Sequence, residues 1–99
     1  MEENGISLRR DKIDIVKDSL EALKKGYSTK TQLMHKAGLS FKQISGDKEK
    51  GEEGYLSLLL RLELIGKNGD SRHFEVTDKG EEFLRRYKEV KSLISYSSN

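Results

Sequence analysis

The sequence predicts a mostly α-helical domain with one small β-hairpin, an α+β fold. Apolar residues recur at helical spacing in several separate segments, which indicates amphipathic helices around a common core. An Asn68-Gly69 pair between two short β-prone runs predicts the hairpin. A length of 99 residues, 33% of them hydrophobic and 36% charged, allows one compact core and excludes large scaffolds such as an eight-stranded barrel.

The first helix is expected to begin at a Ser7 cap and to run to about Lys25, after a loose tail over residues 1–6. Lysines in its last turn suit the helix dipole, and Gly26 follows as a stop signal. One face of this helix is apolar and should pack on the core. It carries Ile13, Ile15, Val16, Leu20 and Leu23.

Two further helices follow with a very short connection. The second, capped by Ser28 or Thr29, is expected to end at Gly38. The third begins at Ser40, which forms a capping box with Gln43. This close spacing of two helices is typical of a helix-turn-helix.

A glycine- and charge-rich insert at 46–54 interrupts the third helix. Its three glycines favour a mobile loop. Helical periodicity then resumes, and two apolar stripes predict a buried helix. One stripe holds Tyr55, Leu58, Leu59 and Leu62, and the other holds Leu56, Leu60 and Leu64.

The following segment predicts the β-hairpin. A two-residue turn at Asn68-Gly69 would pair Ile65 with Arg72, whereas a four-residue loop pairs Ile65 with Phe74. We prefer the longer loop, because it pairs apolar residues across the strands.

A last helix, capped by Thr77 or Asp78, is expected to end at residue 95, with a polar tail over 96–99. Its apolar residues form a heptad seam about two heptads long. Such a seam can fold back on its own domain or pair with a second subunit. The seam and its neighbour comprise Phe83, Leu84, Tyr87, Val90 and Ile94.

The charge is unevenly distributed, although the formal net charge is only +2. No acidic residue occurs between Ala22 and Gly46, whereas the insert at 46–54 carries four acids and two lysines. A basic stretch with interleaved aromatic residues is typical of nucleic-acid binding, and a merely solvated face is the alternative. The stretch contains Lys24, Lys25, Lys30, Lys36 and Lys42, with Tyr27, His35 and Phe41 among them.

Three motifs follow one another in the chain: Lys30-Thr31-x-x-Met34-x-x-Ala37-x-Leu39-Ser40-Phe41, then Tyr55-Leu56-x-Leu58-Leu59-x-x-Leu62-x-Leu64-Ile65, then Val76-Thr77-Asp78-Lys79-Gly80-x-x-Phe83-Leu84. Over roughly residues 9–94 the sequence resembles small archaeal winged-helix DNA-binding proteins, both transcriptional regulators and chromatin-associated dimers. The resemblance implies a winged helix-turn-helix domain over 7–77 and a dimerisation helix over 78–95. The insert departs from the family pattern, and it could be a disordered loop, a lengthened helix start or a docking element.

The resemblance implies double-stranded DNA as the partner of a homodimer that regulates transcription or organises DNA. The third helix would enter the major groove, and the hairpin would reach the backbone or the minor groove. Ser40 and Gln43 also serve the capping box, and Asn68 also serves the turn, whereas Lys42 has no competing structural role. The predicted DNA-binding residues are Lys30, Thr31, Lys36, Ser40, Lys42, Gln43, Ser45, Lys67, Asn68 and Arg72.

Other contacts and partners stay open at this level. Arg9 and Arg10 could touch phosphates or could simply be solvated. His35 and His73 show no partner pattern that would suggest a ligand or a base. The alternative function is a protein-interaction module that uses the 46–54 insert as its docking element.

Several function classes have no support in the sequence. Cysteine is absent, which excludes disulfides, thiolate metal sites and cysteine nucleophiles. Gly46 and Gly51 have the spacing of a phosphate-binding loop, but Glu52 and Glu53 stand where Lys and Ser or Thr are required. No apolar run could span a membrane, and the acidic N-terminus is no signal peptide. We therefore expect a cytoplasmic protein with no catalytic residues, no cofactor and no metal.

Overall fold

The computed structural model describes residues 11–70 and 72–97. In these ranges five helices and two antiparallel hairpins follow one another along the chain. The elements are α1 (Lys12–Lys24), α2 (Lys30–Ala37), α3 (Phe41–Ser45), β1 (Gly46–Asp47), β2 (Glu52–Glu53), α4 (Tyr55–Arg61), β3 (Ile65–Lys67), β4 (Phe74–Val76) and α5 (Asp78–Ser97).

The N-terminal end of α1 is set by Asp11. The backbone N–H of Asp11 donates to the Asp14 carboxylate at 3.4 Å, which closes the first turn. The predicted Ser7 cap, the 1–6 tail and the Arg9-Arg10 pair lie outside the described residues. At the other end the chain reverses at Gly26, whose φ of +103° suits glycine.

One hydrophobic core joins α1 to the two following helices, to α4, to the β3–β4 hairpin and to α5. The apolar face of α1 packs into it as predicted, except for Ile13, which is 58% exposed. Helix α4 is less buried than its two apolar stripes suggest. Leu59 is fully covered, whereas Leu58 and Leu60 are only partly buried, and Leu62, just after the helix, is 39% exposed. The buried set is Ile15, Val16, Leu20, Ala22, Leu23, Leu33, Ala37, Leu39, Ile44, Leu59, Leu64, Ile65, Phe74 and Leu84.

The helix-turn-helix forms through two side-chain capping boxes. Thr29, one of the two predicted caps, exchanges hydrogen bonds with Gln32 at the start of α2. Ser40 and Gln43 do the same at the start of α3. Between them Gly38 adopts a left-handed conformation with φ +71°, which ends α2 and turns the chain towards α3.

The 46–54 insert is an antiparallel hairpin rather than the predicted mobile loop. Gly46 pairs with Glu53 and Asp47 pairs with Glu52, and we call β1–β2 the insert hairpin. At its base Gly54 lies against the backbone of Ile44, Ser45 and Gly46. Glycine is required here because Gly54 closely approaches other backbone atoms and because Gly46 and Gly51 have positive φ angles. The prediction of a mobile loop, which rested on the number of glycines, was therefore wrong. The chain leaves the third helix after Ser45 and returns beside the same point.

The β3–β4 hairpin, which we call the wing, has a different register from the predicted one. Ile65 pairs with Val76 and Lys67 with Phe74, so the loop is longer than four residues. Backbone contacts from outside the hairpin fix this register. The Phe74 N–H donates to the Ser28 carbonyl at 2.9 Å, and Thr29 forms an isolated antiparallel β-bridge with His73. Apolar pairing across the strands is preserved, with Val76 in place of Phe74 opposite Ile65.

Helix α5 is longer than predicted and runs to Ser97, past the expected end at residue 95. Of the two candidate caps, Thr77 is the one that acts, because its hydroxyl accepts from the Gly80 N–H at 3.0 Å. A Cβ on Gly80 would lie 2.3 Å from the Leu64 carbonyl oxygen, so only glycine permits this approach of α5. In the described part of the chain, none of the helices combines the length and apolar character needed to cross a bilayer.

Candidate nucleic-acid interface

Three elements that are far apart in sequence meet along one cleft of about 530 Å³. Lys30 and Thr31 come from the start of α2, Arg72 comes from the wing loop, and Leu56 comes from α4. The Thr29–His73 bridge holds α2 and the wing together at this point. The structure therefore brings together three of the residues predicted to bind DNA.

Two lysines of the acid-free stretch lie over aromatic rings. The Nζ of Lys30 is 4.9 Å from the centre of the Phe41 ring, and the Nζ of Lys36 is 5.0 Å from the centre of the Tyr27 ring. Phe41 is 64% exposed and Tyr27 37% exposed. The predicted site set omitted both rings, although their position among lysines in the sequence was a usable signal.

Helix α3 and its N-cap present the remaining helix residues of the predicted site. The Gln43 side-chain oxygen accepts from the Ser40 N–H at 2.8 Å, and the Ser40 hydroxyl accepts from the Gln43 N–H at 3.1 Å. Both side chains thus take part in the capping box, which is the structural role that the sequence also predicted for them. Lys42 and Ser45 are exposed, and the Nζ of Lys42 lies 3.7 Å from the Asp47 carboxylate.

The two acids at the base of the insert hairpin have partners. The Asp47 carboxylate also accepts from the backbone N–H groups of Glu49 and Lys50, at 3.1 and 3.4 Å. Glu53 accepts two hydrogen bonds from the Arg61 guanidinium, at 2.8 and 3.1 Å, and these lower the pKa of its carboxyl below the ordinary value. Arg61 was not predicted to take part. The insert was predicted as a separate loop, so no sequence signal linked it to α4.

The wing tip carries Lys67, Asn68 and Arg72, all exposed. The Asn68 backbone N–H donates to the His73 carbonyl at 2.8 Å, which fits its predicted turn role. Asp70 accepts from the Arg72 N–H at 2.8 Å and lies 3.6 Å from the His73 ring. The wing tip therefore offers two cations, Lys67 and Arg72, beside one acid, Asp70.

The fold supplies acids to the stretch that lacks them in sequence. Lys24 forms an ion pair of 2.8 Å with Glu81 on α5, and Lys42 faces Asp47 of the insert hairpin. The sequence-local excess of five lysines is therefore smaller in space than along the chain. Lys30 and Arg72 are the lysine and arginine that line the cleft, and Lys36 lies at the other end of α2.

The predicted dimer residues divide into two groups along α5. Leu84 is only 8% exposed and lies in the core, so its assignment to the dimer interface needs correction. Phe83 packs partly on that core, and the Tyr87 hydroxyl donates to the Asp14 carboxylate, which raises the pKa of Tyr87 to about 12. Val90 and Ile94 are 56% and 58% exposed. The outward apolar face therefore belongs to the second half of the helix.

Next to this face, the described residues enclose a groove of about 370 Å³ between the start of α1 and α5. Its apolar lining is Ile13, Phe83, Tyr87, Val90 and Ile94. Arg85 and Arg86 form ion pairs with Glu82 along the helix and hold the pKa of its carboxyl at about 2. These charges lie beside the apolar face. Among residues 11–70 and 72–97, His and acidic side chains form no cluster of three or more that could hold a metal.

The comparisons with known proteins agree with this architecture. A family model described as winged helix-turn-helix matches residues 9–95. Among solved structures, the fold is similar to that of Sso10a-2, a DNA-binding protein from Sulfolobus solfataricus, with a TM-score of 0.64 and 19% sequence identity over 90% of this chain and 88% of that chain. No curated protein matches the chain significantly. The resemblance drawn from the sequence motifs is thus confirmed, and the chain belongs to the winged helix-turn-helix family.

Proposed function

We propose that this protein binds double-stranded DNA as a homodimer, and that it regulates transcription or organises DNA. The observation that carries the proposal is the cleft where Lys30 of α2 and Arg72 of the wing meet, with Lys30 also lying over the Phe41 ring at the start of α3. In a winged helix-turn-helix these are the elements that meet the duplex. The fold is also similar to that of Sso10a-2, a DNA-binding protein, and this similarity adds support.

In this arrangement the start of α3 enters the major groove. Lys42 near its start and Ser45 at its end are exposed and can reach base edges or phosphates. Gln43 uses its carbonyl oxygen in the cap, so its amide nitrogen is the group left to donate to an acceptor on a base. A bidentate contact of Gln43 with adenine would require the capping box to open.

Phosphate contacts supply most of the affinity in this proposal. Lys30 and Thr31 stand at the start of α2, where backbone N–H groups and the lysine ammonium both favour an anion. Lys36 adds charge from the last turn of the same helix. Lys67, Asn68 and Arg72 on the wing would contact the backbone or the minor groove.

The acidic insert hairpin is compatible with a nearby duplex because its base acids are already neutralised. Asp47 faces Lys42, and Glu53 is held by Arg61. The charges that remain on the hairpin are Lys48, Glu49, Lys50 and Glu52, which balance. The net repulsion of phosphates by this segment is therefore smaller than its composition suggests.

A second copy of the chain is the occupant we propose for the exposed face of α5. One side of the molecule exposes several apolar side chains together, whereas single exposed apolar residues are ordinary on a protein surface. These side chains are Val90, Ile94 and Ile13. Pairing of two such faces would cover them and would place two α3 helices on one duplex, with two-fold symmetry. Two heptads are marginal alone, so the α1–α5 groove would have to contribute to the interface.

The DNA proposal is tested by fluorescence anisotropy of a labelled random-sequence duplex at several salt concentrations. Binding should weaken steeply with salt, and Lys30→Gln should reduce the slope of log K against log salt by about 1, the contribution of one phosphate contact. Lys79→Gln, at the exposed start of α5, is the matched control and should leave the slope unchanged. Absence of binding at low salt would refute the proposal.

The dimer proposal is tested by sedimentation velocity of the full chain. The wild type should sediment as a dimer, and the double variant Val90→Glu/Ile94→Glu should be a folded monomer, because the two charges cannot be buried at a paired face. Lys88→Glu changes charge on the same helix and should leave the dimer intact. A monomeric wild type at high concentration would overturn the dimer without affecting the DNA proposal.

A further inference from the structure

Phe41 is the first residue of α3 and is 64% exposed, whereas Leu39 and Ile44 on either side of it are buried. A single exposed apolar side chain is ordinary on a protein surface. What distinguishes Phe41 is its position, because its ring lies beside Lys30 and therefore extends the cationic cleft towards α3.

The ring stands on a rigid support. Two hydrogen bonds between Ser40 and Gln43 fix the first turn of α3, and the residue after the cap is Phe41. The Lys30 ammonium lies 4.9 Å from the ring centre, so a cation and an apolar surface are presented together. The backbone that carries Phe41 therefore loses little conformational freedom on binding, which favours a contact that discriminates between ligands.

The chemistry of the major groove identifies what such a ring can recognise. The edges of base pairs there carry hydrogen-bonding groups and a single apolar group, the C5 methyl of thymine. A phenyl ring offers no hydrogen bond, so among base edges it gains affinity only by covering that methyl. The adjacent Lys30 can bind a phosphate of the same strand while the ring faces the base.

We propose that Phe41 is a specificity-determining residue that contacts thymine methyl groups when α3 lies in the major groove. This inference rests on the proposed DNA-binding function. It adds recognition of the thymine methyl group, which a hydrogen-bonding side chain such as Gln43 or Lys42 does not supply.

The test compares two labelled duplexes of ~20 base pairs, about two helical turns. One has an alternating adenine–thymine sequence, and in the other deoxyuridine replaces every thymidine, which removes the methyl groups alone. The wild type should bind the thymine duplex ~4-fold more tightly for each methyl group that the ring covers. Phe41→Ala should bind both duplexes equally, and Phe41→Leu, which keeps an apolar side chain, should retain most of the preference. Leu62→Ala removes another exposed apolar side chain and should behave as the wild type.

Each outcome has a distinct meaning. Equal binding of the two duplexes by the wild type overturns the inference, while the DNA proposal stands as long as binding is salt-dependent. An equal loss of affinity for both duplexes in Phe41→Ala also overturns it, because the ring would then contact the backbone rather than thymine. Absence of binding by the wild type to either duplex refutes the DNA proposal itself. Far-ultraviolet circular dichroism of each variant checks that it is folded.

Discussion

Replacement of Gly54 by alanine tests whether the insert hairpin is closed against the third helix. Gly54 has φ −77° and ψ 160°, a conformation that any residue adopts, so its backbone angles do not require glycine. Space does: a Cβ at this position would lie 2.4 Å from the Ile44 carbonyl oxygen, 2.4 Å from the Ser45 carbonyl carbon and 2.5 Å from the Gly46 nitrogen. All three neighbours are backbone atoms, which cannot rotate away.

The magnitude follows from this crowding. Relief of three such contacts requires the base of the hairpin to open by about 1 Å, and overpacking of this kind costs about 1–3 kcal/mol. Because the neighbours are backbone, we expect the upper part of that range, about 2–3 kcal/mol. For a domain of this size the melting temperature should fall by roughly 10–20 °C.

Thermal unfolding followed by circular dichroism at neutral pH measures the effect, with urea unfolding as a second probe. Gly51→Ala is the matched control, since Gly51 has φ +68° and open space around it. It should cost about 1 kcal/mol for the left-handed backbone conformation alone. If Gly54→Ala lies within ~0.5 kcal/mol of the wild type, as an ordinary surface substitution would, the hairpin does not close against α3 and the reasoning is refuted.

Three further predictions concern the end of α4, the link between α1 and α5, and the insert hairpin. Glu63 has φ +63°, so Glu63→Gly should raise the unfolding free energy by about 0.5–1 kcal/mol in urea titrations, and a loss of stability would contradict this. The Tyr87–Asp14 hydrogen bond lowers the pKa of Asp14 and raises that of Tyr87 from 10.0 to about 12. Its contribution to stability is therefore present between about pH 4 and pH 10, is lost as pH falls through the folded pKa of Asp14, and is lost again as pH rises from 10 through about 12. In Tyr87→Phe the melting temperature should fall less steeply both at acidic pH and above pH 10. An unchanged dependence of melting temperature on pH would show that the bond contributes nothing. Deletion of residues 47–53, which joins two backbone points already in contact, should leave the protein folded by circular dichroism and DNA affinity equal or higher; a collapse of affinity would make the hairpin part of the DNA-reading surface.

Local signals in the sequence predict much of the fold and part of the site. The Ser40–Gln43 capping box and the Gly38 stop are interactions between residues a few positions apart, so their chemistry is visible without the tertiary structure. The same holds for the apolar periodicity of α1. Lys30, Thr31 and Arg72 were also predicted separately, although their meeting at one cleft was not.

The errors share a cause, because each concerns a residue whose environment comes from distant segments. The register of the wing depends on Ser28, whose carbonyl accepts a hydrogen bond from the Phe74 N–H. This contact selects the register that pairs Ile65 with Val76, although pairing with Phe74 would also match apolar residues. The glycines of the insert could signal mobility or close packing, and only the approach of Gly54 to the third helix distinguishes the two.

The sequence by itself determined the order of the helices, the capping box at the start of α3 and which stretch lacks acidic residues, because these properties depend on neighbours in the chain. The tertiary structure alone decided which charges are neutralised and which apolar residues stay outside. Lys24 meets Glu81 on α5, Lys42 meets Asp47, and Leu84 enters the core while Ile94 on the same helix does not. The physical reason is that ion pairing and burial are set by distances through space, which folding fixes and local sequence patterns do not contain.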